Sequence, residues 1–94
     1  MPRQIAMVTG ASTAASYQRA RDLPSLLPLW PHEFETASAA EHARLLARMR
    51  RALRMERQRG IAGHWTYDLA RHARLLSAYR AETDAYRRRL QAGA

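Results

Sequence analysis

Valine and isoleucine hold only three positions in this 94-residue chain (Ile5, Val8 and Ile61), against 19 alanines and 11 leucines. Strands are built largely from β-branched and aromatic side chains, whereas alanine, leucine and arginine are the stronger helix formers. That imbalance points to an all-α architecture. The length allows one small domain. It is too short for a TIM barrel or a complete dinucleotide-binding domain. No apolar run reaches the roughly 18 residues of a membrane-spanning helix. The absence of cysteine excludes disulfides, zinc–thiolate centres, iron–sulfur clusters and cysteine nucleophiles.

The chain divides by its proline and capping signals. Residues 1–11 are expected to be extended or flexible. They lack the charged start and apolar stretch of a secretory signal, so a cytoplasmic location is expected. Within them, Ile5 to Ser12 resembles the first strand and turn of short-chain dehydrogenases. No glycine stands between Gly10 and Gly60, so the close backbone approach that a pyrophosphate needs is missing and no cofactor is expected. Ser12 or Thr13 is placed to cap a short helix over 12–22. In the proline-rich segment 23–35, Pro24, Pro28 and Pro31 should forbid regular helix, because each lacks an N–H and restricts its predecessor. This segment is also apolar. It either folds across the core as a lid or offers Leu26, Leu27, Leu29 and Trp30 as a docking surface for another protein.

The remainder predicts an antiparallel hairpin with helices over 38–59 and 66–91. Ser38 and Glu41 form a capping box. His42, Leu45, Leu46, Met49, Ala52, Leu53 and Glu56 then recur at three- and four-residue steps and define one stripe. Gly60 is a natural terminator. Thr66 would cap the second helix, with a stripe of Leu69, His72, Ala73, Leu76, Tyr79, Thr83, Tyr86 and Leu90. The short connection makes the two helices neighbours, with the shorter N-terminal helix and the proline-rich segment packed across them.

Catalytic chemistry is sparse. Glu56 lies on an apolar stripe and needs a partner, since an unpaired buried carboxylate is costly. In the antiparallel register it approaches His72, and a structural Glu56–His72 pair is expected. No nucleophile or phosphate loop accompanies it, so no enzymatic activity is assigned. The histidines His32, His42, His64 and His72 are never three or four apart on one helix, so no metal site is expected. Charge is the stronger lead. Sixteen arginines, no lysine and eight acidic residues give a net charge of +8. Arg48, Arg51, Arg71, Arg74, Arg87, Arg88 and Arg89 are the candidates for phosphate contacts.

Tyr17-Gln18-Arg19-Ala20-Arg21-Asp22-Leu23-Pro24-Ser25-Leu26-Leu27 resembles the opening of a family of small proteins from Rhodobacter-type alphaproteobacteria. So does Arg59-Gly60-Ile61-Ala62, with Tyr67 and the run Ala70-Arg71-His72-Ala73-Arg74-Leu75-Leu76 after it. The family has no assigned activity and lends no functional residues. The resemblance implies a bacterial cytoplasmic protein and directs attention to Tyr67 and His72. The expected function is a non-catalytic helical interaction module docking on a protein partner or on itself. The alternative is a basic accessory protein that binds nucleic acid through arginine-rich helix faces.

Overall fold

The structure, a computed structural model, describes residues 17–93. It is all-α, with helices α1 (Arg19–Leu26), α2 (Ala39–Ala62) and α3 (Leu69–Gly93) and a 3-10 turn (Pro31–Phe34), and no strand among the described residues. The two long helices pack as a hairpin, α1 lies against α3, and the 3-10 turn lies against α2. The extended opening segment and the cap at Ser12 or Thr13 lie outside the described residues.

The proline-rich segment corrects one expectation. The short helix does not stop at residue 22 but runs from Arg19 through Pro24 to Leu26. An interior proline costs about 3 kcal/mol. Here the bond it removes belongs to the Ala20 carbonyl, and Ala20 is exposed to water. Continuing the helix buries Leu23 and Leu26 one turn apart, and each such burial is worth roughly 1.5–3 kcal/mol. Two leucines therefore outweigh one lost bond. Beyond α1 the segment does cross the hairpin. The Leu26 carbonyl accepts from Arg71 on α3 at 2.6 Å, and the Pro28 carbonyl accepts from Arg48 on α2 at 3.5 Å.

The capping box at the start of α2 forms as expected. The Glu41 N–H donates to Ser38 Oγ at 3.1 Å, and the Ser38 N–H donates to Glu41 Oε1 at 3.0 Å. The other hairpin ends shift. α2 continues past Gly60 to Ala62 and is closed by Gly63, which has φ +65°. The His64 N–H then reaches back to the Arg59 carbonyl at 2.9 Å, in the manner of a left-handed glycine cap. Gly60 serves a different need, since a Cβ there would meet the Tyr67 ring at 3.0 Å. Asp68, not Thr66, caps α3, accepting from the N–H groups of Ala70 (2.9 Å) and Arg71 (3.2 Å).

The core gathers Leu23, Leu26, Leu27, Leu45, Leu46, Met49, Leu75 and Ala78. The α2 stripe faces inward as its spacing implies. On α3 the inward face is Leu75, Ala78 and Glu82, with Leu76, Tyr79 and Tyr86 half-buried and Leu69 and Leu90 exposed. The helix is thus turned by about one residue from its apolar pattern.

Candidate functional site

That rotation brings Glu82 to the open end of the hairpin, where the start of α2 meets the second half of α3. Its carboxylate receives four hydrogen bonds. Arg19 donates to it twice, from Nε (2.9 Å) and Nη2 (2.6 Å). The Tyr17 hydroxyl donates at 2.6 Å, and His42 Nε2 lies 2.9 Å away. Arg19 also reaches the Thr36 hydroxyl, and Arg89 donates to the carbonyls of Thr36 and Ala37. His42 and Glu82 are 1% and 2% exposed. Burial by itself would raise the Glu82 carboxyl, but the bonds from Arg19 and Tyr17, the Arg19 charge and the His42 bond hold it below the ordinary carboxylate range. Burial, then the Glu82 bond and charge, push the Tyr17 phenol well above its usual value. The imidazole carries its proton on Nε2 when neutral, which leaves Nδ1 a buried acceptor without a partner. Glu82 and His42 are sealed inside, and only Tyr17 of the group borders a cavity, of about 300 Å³. The group joins α1, the residues before α2, and both hairpin helices.

The Glu56–His72 pair does not form. Glu56 is buried and ion-paired to Arg71, with Arg59 at 3.0 Å. His72 instead bonds the Tyr67 hydroxyl through Nδ1 at 2.9 Å. A guanidinium reaches farther than an imidazole and neutralises the carboxylate at any ordinary pH. Glu56 and His72 therefore do not form an acid–base pair.

The candidate arginines divide in the same way. Arg71 is occupied by Glu56 and the Leu26 carbonyl, and Arg89 by two carbonyls. Both guanidinium groups are thus partly taken up by bonds inside the fold. Arg48 is loosely held by Glu33 at 3.7 Å, and Arg87 by Asp84 at 3.6 Å. Arg51, Arg74 and Arg88 are exposed.

The proposed docking surface of the proline-rich segment is corrected too. Leu26 and Leu27 are core residues, and Leu29 packs against that core. Trp30 alone of the four stands free, at 72% exposure. The larger apolar surface lies at the turn of the hairpin, which sequence reasoning missed. Ile61 in the last turn of α2, Trp65 in the connection, and Leu69 opening α3 are 78%, 89% and 71% exposed. The His64 ring stacks on Trp65 at 5.9 Å. The available signal was their position, since large apolar residues in a connection have no core to enter.

Among the described residues no helix is long and apolar enough to cross a membrane, and no group of three potential metal ligands is assembled. No protein-family model matches the chain, and no match was found among curated proteins or solved structures.

Proposed function

We propose that this chain is a non-catalytic, cytoplasmic interaction module whose hairpin turn docks into an apolar recess on a separate, acidic protein. The supporting observation is the exposure of Ile61, Trp65 and Leu69 together at the turn. Tryptophan is a frequent interface anchor, and three large apolar side chains left in water do nothing for the fold itself. The surroundings of the turn are basic. Arg54 and Arg57 are exposed, whereas Asp68 is engaged as a helix cap and Glu56 is neutralised inside. With a net charge of +8, the chain attracts an acidic partner and repels a second copy of itself.

The test places a photo-crosslinking residue at position 65, with position 80 as an exposed control, in the protein's native cells. The captured protein is then purified and titrated. The expected result is an acidic partner, trapped only from position 65, whose affinity falls at least tenfold with Trp65→Ala. Adducts confined to a second copy, to nucleic acid or to lipid, or equal trapping from position 80, would overturn the reading.

The nucleic-acid alternative is favoured by the exposed Arg51, Arg74 and Arg88 and weakened by the internal bonds of Arg71 and Arg89. Anisotropy of a labelled strand at about 50 and about 200 mM salt separates them. Micromolar binding that survives the higher salt and falls with Arg51→Gln would put this alternative first.

A further inference from the structure

A groove of about 440 Å³ opens between the 3-10 turn and α2, far along the helix from the turn of the hairpin. Its volume lies in the range of small-molecule sites, roughly 300–1,000 Å³. Arg44, Arg48 and Arg51 line one wall. At steps of four and three they share a helix face, and at 1.5 Å per residue they span about 10 Å of its axis. Leu45 and Ala47 supply an apolar floor; Glu33 and Glu35 enter from the 3-10 turn and the residue after it, and Glu41 lies on α2 one turn before Arg44.

The two charge signs are not equally available. Glu41 is held in the Ser38 capping box, and Glu33 accepts the Trp30 N–H at 2.7 Å while facing Arg48. Arg44 and Arg51, in contrast, are exposed and make no bond or ion pair among the described residues. Arg48 is held only by long contacts of 3.5 and 3.7 Å. Glu33 and Glu41 are thus engaged by the fold and Glu35 is exposed, while Arg44 and Arg51 keep their guanidinium groups free among the described residues. We infer that this groove binds a diphosphate group, carried by a small organic molecule whose body lies over Ala47 and Leu45. Guanidinium groups bind phosphate oxygens in pairs, and a row of three over this length suits two linked phosphates better than one. The inference does not depend on the docking surface at the turn, because it involves different residues and a different ligand.

Calorimetric titration of the full chain with ADP, pyrophosphate, AMP and adenosine, at about 150 mM salt to screen generic attraction, tests it. The expected result is saturable 1:1 binding of ADP with Kd below about 1 mM, AMP weaker, and adenosine silent. Arg44→Gln with Arg51→Gln should weaken ADP at least tenfold, and Arg57→Gln with Arg80→Gln should leave it unchanged. All four positions are exposed, so helicity by circular dichroism should not move. Pyrophosphate binding as tightly as ADP would locate the recognition in the diphosphate itself, and weaker binding would show that the organic body contributes. The inference is overturned by absent saturation, or by equal losses in the two double variants. It is also overturned if an oligonucleotide loses affinity with Arg44 and Arg51 while the small phosphates do not bind.

Discussion

At the open end of the hairpin, polar side chains are sealed inside; at the turn end, apolar side chains stand in water. Glu82, His42, Arg19 and Tyr17 satisfy one another there, and Glu82 and His42 are almost wholly buried. Toward the other end of the same two helices, Ile61, Trp65 and Leu69 are left uncovered. The difference lies in what the rest of the chain reaches. α1 and the residues before α2 carry Arg19, Tyr17 and Thr36 to the open end, and nothing among the described residues covers the turn. Hydrogen-bonded buried polar groups hold a fold in one arrangement, whereas exposed apolar groups contribute little to it. The open end is held by polar bonds, and the turn leaves its apolar side chains exposed.

Substitutions should separate the two ends by size of effect. Glu82→Ala strips the partners from Arg19 and His42. It should cost about 3 kcal/mol, the low end for breaking a buried pair, because Arg19 keeps 31% of its side chain in water. Thermal melting should fall by roughly 15 °C. Arg71→Ala, nearer the turn, leaves Glu56 with Arg59 alone and should cost about 2 kcal/mol by denaturant titration. Lysine at position 71 should restore only part of it, since it cannot bond Glu56 and the Leu26 carbonyl through one planar fork.

The pH profile sharpens the contrast further. Glu82 titrates below its ordinary 4.5 in the folded chain. Its contribution is therefore present above pH 4.5 and is lost as pH falls through the lower value. Tyr17 is raised above its ordinary 10.0, so its contribution is complete below pH 10 and declines as pH rises beyond it. Tyr17→Phe should flatten the alkaline limb in a stability titration, and Glu82→Gln the acid one. The smallest effect belongs to the turn. Trp65→Ala should move stability by no more than about 0.5 kcal/mol while weakening the proposed docking at least tenfold. A large loss of stability there would erase the distinction between the ends.

The hairpin was legible because its signals are local. The Ser38–Glu41 box and the α2 stripe need only the spacing of one helix. Glu82 was not legible, because a pattern of apolar residues passes over a carboxylate whose partners, Arg19 and Tyr17, lie more than 60 residues away. The same blindness displaced the inward face of α3 by one residue and gave Glu56 the wrong partner. Pro24 misled for another reason: a local rule about helix breaking was outweighed by the burial of Leu23 and Leu26. For the site, the arginine pattern singled out Arg48 and Arg51 but not Arg44, nor which of the arginines the fold consumes, and the turn surface emerged only once its exposure was known.

Trp30→Phe leaves Trp65 as the only tryptophan, and its emission reports the turn surface directly. The account predicts red-limit emission with unhindered quenching by acrylamide across a wide range of protein concentration. Blue-shifted, quench-protected emission in the isolated chain would contradict it. The indole would then already be covered, by residues 1–16 if the shift is independent of concentration, or by a second copy if it grows with it.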